Sequence, residues 1–519
     1  MRATQAPLVA VERIALLVAV GLALGLLLPL HGYITDDTYI HLRFAQHLAR
    51  GEGLVFNAGE RVYGCTSPLW VALVADGIAL GIDGLWTAKM LGLLATLASI
   101  GFFLQLMRRT VSMPEVRALA TIAWGGHAWM ARWAISGMET PLAVALVLAG
   151  FVAFTEGQQW GSRPVRTGTL WALGALTRPE VALLLGLWGI FLIADTENRL
   201  GIRRLVFGAV PPILIYGAWL LFARLYFGSF WPQTLTAKVA GVAGRAFATE
   251  DLKREIQIIG ATDGILIAAL LLSLLVGFRR LLPGRMLGQR LVPWAWVLAV
   301  PALYVARGVP VISRYLLPLL PVAGWLAWRT LEIAFAGEPV EPAKRTRTIA
   351  IASVLAVAVL VQNAYVYRTR VLPHVVEFSA GMQNGLVRWG KWFGEHTPRG
   401  TVIATPDIGA IGYFSDRPVL DLAGLVTPGM VPILERLDTQ AIADSFAFAA
   451  VGRPDYLVDR ASPGEELTKR SPYGGCLTKL GEAEVEGLGI NRPGRTVYSF
   501  YRIEWSCFDS LRAARAAPR

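Results

Sequence analysis

Long apolar runs separated by short polar loops fill this 519-residue chain from Val11 to Tyr367. Only 17% of its residues are charged and the mean hydropathy is +0.49, whereas soluble domains carry about 25% charged residues. A soluble fold of this length would expose more polar surface than this composition can supply. The apolar excess therefore predicts a polytopic α-helical membrane protein whose apolar surface faces lipid.

The number of membrane spans follows from the length of each apolar run, because a spanning helix needs about 20 mostly apolar residues. The first run follows Arg2 and Arg13 without a small-residue cleavage site, which indicates a retained signal-anchor helix. Residues 68–82 are apolar but short and contain Asp76, so we predict that they lie on the membrane surface. The eleven predicted spans are residues 12–30, 86–106, 117–135, 140–156, 167–177, 180–194, 205–226, 262–278, 290–306, 314–334 and 347–367.

Basic residues give the predicted orientation of these spans. With residues 68–82 outside the bilayer, the arginine-rich loops fall on the side of the N-terminus, among them those holding Arg108 and Arg109 and holding Arg345 and Arg347. The positive-inside rule then predicts a multi-pass protein of the inner (plasma) membrane with a cytoplasmic N-terminus. The same loops explain the net charge of +12, so no nucleic-acid partner is predicted.

The C-terminal part of the chain has the composition of a soluble domain. Strand-like runs at residues 401–405, 418–422, 456–458 and 496–501, with a helical stretch at 385–395, predict a small α/β domain. We therefore predict a transmembrane domain at residues 1–370, with a first external loop and interfacial helices at 31–85, and an extracytoplasmic domain at 371–519. Cys476 and Cys507 fall in this last domain, where they form either a disulfide or two buried thiols.

Two adjacent carboxylates, Asp36 and Asp37, follow the first span. If residues 37–48 form a helix, Asp36 shares a face with Arg43, and Asp37 shares one with His41. A carboxylate at a low-dielectric boundary can have its pKa raised into the range of a general base. The alternative is a helix N-cap beside a solvated acid.

Further charged residues lie at the predicted outer ends of later spans. Cations at this depth could bind an anionic leaving group, and the arginine fork suits phosphate in particular. The alternative for each residue is a snorkelling or paired structural charge. These residues are Glu139, Arg178, Glu180, Lys238 and Arg314.

The segment from Asp36 to Trp70, which contains DDTYIHLRFAQHL, GEGLVFNAGERV and TSPLW, resembles the first external loop of GT-C fold glycosyltransferases. The segments SGMETPL, LTRPE, YFGSFWPQTLTAK and SRYLLPLLP resemble further motifs of the branch that includes the mycobacterial terminal arabinofuranosyltransferase AftB. The C-terminal segment DIGAIGYFSDRPVLDLAGL also matches this branch, so the resemblance covers most of the chain.

This resemblance implies a sugar donor linked to polyprenyl phosphate, with the acidic pair of the first loop as the catalytic base. That base is Asp36, with Asp37 as the alternative. The expected phosphate contacts are Arg314, Lys238 and Arg178. Further expected substrate-binding residues are Tyr39, Arg43, Glu139, Glu180 and Tyr315.

The implied function is an inverting transfer of a sugar, with a pentofuranose such as arabinofuranose as one candidate, to a hydroxyl of a cell-envelope glycan, glycolipid or protein. The alternatives are a lipid-linked-glycan transporter or flippase and a non-catalytic envelope scaffold. Asp36, Asp37 and Glu139 could bind a divalent metal ion through oxygen, but no spacing requires one. No cofactor is assigned, and the metal stays open.

Overall fold

The computed structural model describes residues 9–156, 160–194, 200–240, 248–281, 289–308, 311–486 and 494–516. Within these ranges, four helices of 10–17 residues are apolar, at Pro68–Ala79, Thr140–Phe154, Val181–Ile193 and Val292–Arg307. Five longer helical segments there have the length and composition to cross a membrane: Ala10–Leu30, Gly84–Thr110, Arg203–Phe227, Thr249–Gly277 and Pro342–His396. The predicted polytopic helical architecture is confirmed, whereas the count of eleven spans stays a prediction.

Helices follow one another along most of the described ranges. The first twelve are α1 Ala10–Leu27, α2 Asp36–Ala49, α3 Pro68–Ala79, α4 Gly84–Thr110, α5 Pro114–Gly125, α6 Ala128–Ala134, α7 Thr140–Phe154, α8 Pro164–Ala175, α9 Val181–Ala194, α10 Leu200–Pro212, α11 Ala218–Phe227 and α12 Gln233–Ala240. The next twelve are α13 Ala248–Leu281, α14 Val292–Arg307, α15 Ser313–Leu316, α16 Leu320–Ala336, α17 Pro342–Val366, α18 Leu372–Met382, α19 Arg388–His396, α20 Gly409–Ser415, α21 Val431–Leu434, α22 Thr439–Ser445, α23 Leu467–Arg470 and α24 Trp505–Ala516.

The chain divides into two compact units. The first consists of Met1–His31, Lys89–Trp219 and Phe247–Leu372, and the second of Gly32–Ala88, Leu220–Ala246 and Pro373–Arg519. The second unit therefore contains the first predicted external loop together with the C-terminal domain. The domain boundary that we placed at residue 370 stays a prediction.

One predicted span, residues 117–135, is interrupted in the structure. Helix α5 ends at Gly125, and α6 begins at Ala128. The cause is His127, which has an extended backbone and whose Nδ1 accepts the main-chain N–H of Met130 at 3.3 Å. A side chain that caps a new helix in this way ends the preceding one.

Helix α3 covers most of the segment that we predicted to lie on the membrane surface. Pro68 occupies its first turn, where the missing N–H of proline costs nothing. Its 12 residues extend about 18 Å, well short of the roughly 30 Å hydrocarbon core. The length agrees with the prediction, and the position at the membrane surface stays a prediction.

The C-terminal domain contains a five-stranded sheet with the order β2-β1-β3-β5-β4. Strands β2, β1 and β3 are parallel, whereas β5 runs antiparallel to both β3 and β4. The strands are β1 Ile403–Thr405, β2 Val419–Asp421, β3 Tyr456–Ala461, β4 Leu477–Glu486 and β5 Arg495–Ile503.

Four of these strands were predicted, and β4 was missed. Strand β4 reads LTKLGEAEVE, and only Leu477 and Val485 are fully buried. A sheet face that remains in water has little need of apolar side chains, so this strand lacks the apolar alternation on which sequence prediction depends. The remaining strand predictions and the α/β class of the domain are confirmed.

A hydrophobic core lies against this sheet, and its buried members include Met430, Phe446, Phe448 and Phe508. Cys476 belongs to the same cluster and forms a disulfide with Cys507, which decides between the two alternatives left open by the sequence. The third cysteine, Cys65, is buried in the first loop.

The disulfide yields a prediction about stability. Its two cysteines are 31 residues apart, and closing a loop of this length stabilises a fold by about 3–4 kcal/mol in the chain-entropy view. We expect Cys507→Ser to lower the melting temperature of the purified protein. The double variant with Cys476→Ser should lower it no further, because either change breaks the same bond. Equal melting temperatures for wild type and both variants would contradict the prediction.

Candidate functional site

Asp36 is the first residue of α2, and the C-terminal domain holds its carboxylate. Oδ2 accepts the main-chain N–H of Gly409, and Oδ1 accepts that of Ala410, each at 2.8 Å. These donors belong to the first turn of α20, where main-chain N–H groups have no partner within the helix. The contact joins residues 373 positions apart and orients the carboxylate from both of its oxygens.

Gly409 is the residue that permits this contact. A Cβ atom at position 409 would overlap the main-chain oxygen of Asp36 and lie 2.8 Å from its Cγ. Real Cβ atoms essentially never approach that closely, so a larger residue would force α2 and α20 apart. The absence of a side chain at 409 is therefore required by the close approach of two backbones.

The surroundings of Asp36 change its proton affinity. Burial and then the negative charge of Asp407 raise its pKa, the N–H groups of Ala410 and Gly409 oppose the rise, and the result is a pKa of about 7. The side chain still remains partly accessible to water. Asp36 thus combines a fixed orientation with a proton affinity suited to a general base near neutral pH.

Asp37, the alternative base, is the next residue of α2 and is partly exposed. The sequence prediction of a helix over residues 37–48 is confirmed, since α2 covers Asp36–Ala49. The assignment of the base to one of these two acids stays a proposal.

Arg43 lies two turns after Asp36 on the same face of α2, and it is almost fully buried. Its Nε donates to the Phe56 carbonyl at 2.6 Å, Nη2 donates to the Arg417 carbonyl at 2.8 Å, and Nη1 donates to the Gly412 carbonyl. The guanidinium group thus binds one carbonyl of the first loop and two of the C-terminal domain, and it joins these two segments. We interpret Arg43 as a structural residue of this contact rather than a ligand of substrate.

Tyr39, a second expected substrate-binding residue, is also buried in this contact. Its ring packs against Tyr413 and Phe414 of α20, with centroid distances of 5.6 and 5.1 Å. Burial and the charge of Asp36 raise the pKa of the Tyr39 phenol. The side chain therefore fills the space between α2 and α20.

The first unit contains a separate cluster of charged residues around Arg178. Its Nη1 donates to Glu139 at 2.7 Å, and its Nε donates to Glu180. All three side chains are at most 9% exposed. Because two buried carboxylates already surround this guanidinium group, we interpret Arg178 chiefly as their counter-charge.

Arg314 and Tyr315 belong to the same cluster. The guanidinium groups of Arg178 and Arg314 lie 5.1 and 5.2 Å from the centroid of the Tyr315 ring, and Arg314 also lies 5.6 Å from the ring of Trp133. Trp133 in turn donates to the Ser313 hydroxyl at 2.9 Å. Aromatic rings therefore pack against both guanidinium groups, while Arg178 alone makes the ion pairs with Glu139 and Glu180.

Lys238, the third expected phosphate contact, lies in α12, and its side chain is outside the described part of the structure. For the metal question, Glu139 is paired with Arg178, and both oxygens of Asp36 accept N–H donors. Among the described residues, no group of three or more His, Cys, Asp or Glu side chains could hold a metal ion. These observations give no support to a metal centre built from Asp36, Asp37 and Glu139.

Sequence reasoning missed the residues of the C-terminal domain that surround Asp36. A signal was present for Asp407 and Gly409, because they follow a predicted strand at its carboxyl end; that strand is parallel to its neighbours in the structure, and functional groups collect at this end of such sheets. Arg460 and Tyr498 gave no local signal, because only the pairing of β3 with β5 brings them together.

Comparisons with known proteins agree with the predicted class. A family model described as Domain of unknown function (DUF8728) matches residues 376–503. The terminal beta-(1->2)-arabinofuranosyltransferases of Corynebacterium glutamicum and Mycobacterium tuberculosis are similar to the chain, with 29% identity over 249 residues and 32% over 229 residues. These matches cover 41% and 40% of the chain but only 34% and 35% of the relatives. The chain thus matches about a third of their length.

The fold is similar to that of two solved structures of one protein. ArnT from Cupriavidus metallidurans in the apo state superposes with a TM-score of 0.59 at 14% identity, over 97% of this chain and 99% of that chain. The same protein bound to undecaprenyl phosphate gives a TM-score of 0.56 at 15% identity, over 98% and 100%. This protein therefore has the GT-C fold that the sequence predicted, with its polytopic helical body and its small C-terminal α/β domain.

The close approach at Gly409 yields a prediction. Gly409→Ala places a methyl group against the backbone of Asp36, and overpacking of this kind costs about 1–3 kcal/mol. We expect a lower melting temperature than wild type in detergent. Gly400→Ala is the matched control, because a Cβ at position 400 meets nothing within 4 Å. Equal melting temperatures for the two variants would show that the backbones do not approach as described.

Proposed function

We propose that this protein is an inverting membrane glycosyltransferase. It moves a sugar, with a pentofuranose such as arabinofuranose as first candidate, from a polyprenyl-phosphate donor to a hydroxyl of a cell-envelope glycan, glycolipid or protein. The observation that carries this proposal is the Asp36 carboxylate, which is oriented by two N–H groups and has a pKa raised to about 7. The two arabinofuranosyltransferases that match part of the chain support the choice of sugar.

The proposed reaction is a single displacement. Asp36 accepts the proton of the acceptor hydroxyl while that oxygen attacks the anomeric carbon of the donor sugar. The bond from this carbon to the phosphate oxygen breaks, and the polyprenyl phosphate leaves with the electron pair. Arg314 and Lys238 are the proposed partners of its negative charge, which would lower the energy of the transition state.

The proposed location is the extracytoplasmic side of the inner membrane. The Cys476–Cys507 disulfide supports this side for the C-terminal domain, since disulfides persist in oxidising compartments. The short helix α3 also supports the orientation, because counting it as a span would distribute the arginine-rich loops over both sides.

The first test of the function separates the two acids. We expect Asp36→Asn to reduce transfer by about 100-fold or more, because an amide cannot accept the proton. Asp37→Asn should leave a larger residual rate. The assay presents purified full-length protein with a panel of polyprenyl-phosphate sugars and a glycan acceptor, and the anomeric configuration of the product reports inversion.

The outcomes of this assay also separate the rival functions. Membrane insertion and monodispersity of each variant show whether a loss of transfer is specific. Movement of a lipid-linked glycan across vesicles that contain no acceptor would favour the transporter or flippase. Wild-type rates for Asp36→Asn would remove the proposed base, and a lack of both transfer and transport would favour the scaffold.

A second test compares two arginines of the first unit. We expect Arg314→Gln to weaken donor binding about 10-fold or more, because a charge-assisted hydrogen bond to phosphate is lost. Arg178→Gln instead leaves Glu139 and Glu180 buried without their cation, a loss of about 3–5 kcal/mol. Its main effect should therefore be a lower melting temperature. Unchanged donor affinity in the folded Arg314 variant would contradict the phosphate assignment.

A further inference from the structure

Asp407 occupies the loop between β1 and α20, two residues before the glycine that holds Asp36. Strand β1 lies between the two strands with which it runs parallel, so this loop leaves the sheet at the carboxyl end of a central parallel strand. The Thr405 hydroxyl accepts the N–H of Asp407 at 3.3 Å and donates to its carbonyl at 3.0 Å. The loop therefore has a defined conformation before any contact with Asp36.

Two side chains of the sheet bind the Asp407 carboxylate. Nη1 of Arg460 donates to its two oxygens at 2.9 and 2.8 Å, and the Tyr498 hydroxyl donates to Oδ2 at 2.6 Å. Arg460 and Tyr498 are direct partners across the antiparallel β3–β5 pair, so both side chains lie on the same face of the sheet. The sheet thus holds the carboxylate from two adjacent strands.

The negative charge of Asp407 acts on Asp36. After burial, it is the largest cause of the raised pKa of Asp36. The same loop is followed at once by Gly409 and Ala410, whose N–H groups orient the Asp36 carboxylate. Asp407 therefore influences both the proton affinity of Asp36 and, through the loop, its orientation.

We propose that Asp407, held by Arg460 and Tyr498, is a positioning residue for the base Asp36. This inference rests on the proposed function. Asp407 places a fixed negative charge beside Asp36 and strengthens it as a proton acceptor, while Arg460 limits that effect. Asp407 itself does not accept the proton of the acceptor hydroxyl. According to this proposal, the C-terminal domain contributes to catalysis by setting the proton affinity and the orientation of Asp36.

Other charged and titratable groups that face Asp36 are the same in every variant of the test. Within α2 they are Asp37 and Tyr39, and from β5 it is Tyr498. The elements packed against α2 and α20 also carry Tyr413 of α20, Asp76 of α3, Asp83 before α4 and Lys391 of α19, none of which the variants change.

The test uses two substitutions with opposite expected effects. Asp407→Asn removes the negative charge, so the acidic limb of the pH–activity profile should move to lower pH by about one unit. Arg460→Met leaves Asp407 without its counter-charge, so the limb should move to higher pH by a similar amount. A purely structural role would lower activity in both variants without moving the limb in opposite directions.

The matched control is Asp509→Asn. Arg453 and Asp509 form another two-bonded arginine–carboxylate pair in the same domain, at 2.9 and 2.8 Å, and this pair is exposed on the surface. The limb should stay in place when this pair is broken. If either single variant fails to fold, the Asp407→Asn/Arg460→Gln double variant removes both charges, and a smaller shift to lower pH is expected.

A second readout is independent of transfer. Infrared difference spectra between each protein and its Asp36→Asn counterpart follow the protonated carboxyl of Asp36 as the pH changes, without substrate. Opposite shifts of this titration in the two variants support the inference, and equal titrations in wild type and both variants overturn it. A wild-type protein without transfer activity would overturn the proposed function while this titration still tests the influence of Asp407.

Discussion

The contact between the Asp36 carboxylate and the N–H groups of Gly409 and Ala410 is the interaction on which the rest of the second unit depends. It joins the start of the first loop to a helix of the C-terminal domain, and Arg43 adds hydrogen bonds to two carbonyls of that domain. An oriented carboxylate loses less freedom on reaching a transition state. The contact therefore preorganises the proposed base and also joins α2 to α20. The same bonds favour the ionised acid, and burial and Asp407 outweigh them.

Arg178 and Arg314, which the sequence assigned to phosphate binding, have different surroundings in the structure. Arg178 lies between two buried carboxylates, and removing it would leave both without a cation. Arg314 packs against the rings of Trp133 and Tyr315, whose faces are favourable neighbours for a guanidinium group. Sequence position alone could not distinguish these two arginines, because both lie at the predicted outer end of a span. The distinction depends on which helices pack together.

Much of the fold could be predicted because it depends on composition and periodicity. Apolar runs marked most of the helices, and four strands showed apolar residues beside turn signals. Strand β4 was missed because its exposed face carries Lys and Glu, and the break at His127 was missed because a single side chain that caps a helix divided a run counted as one span. For the site, the acids of the first loop stood out because they follow the first predicted span. The N–H partners of Asp36 were missed, because the only signal for them was their place after a predicted strand.

The role of the C-terminal domain is where the structure adds most to the sequence. From sequence, the domain could recognise the acceptor or merely cover a cavity. The contacts of Asp36, Arg43 and Tyr39 with α20 instead make the domain part of the environment of the first-loop acid. A transporter would have no evident need for a folded domain to orient a carboxylate and raise its pKa towards 7. A reaction that removes a proton from a hydroxyl needs both, so the physical chemistry of this one side chain favours the enzyme.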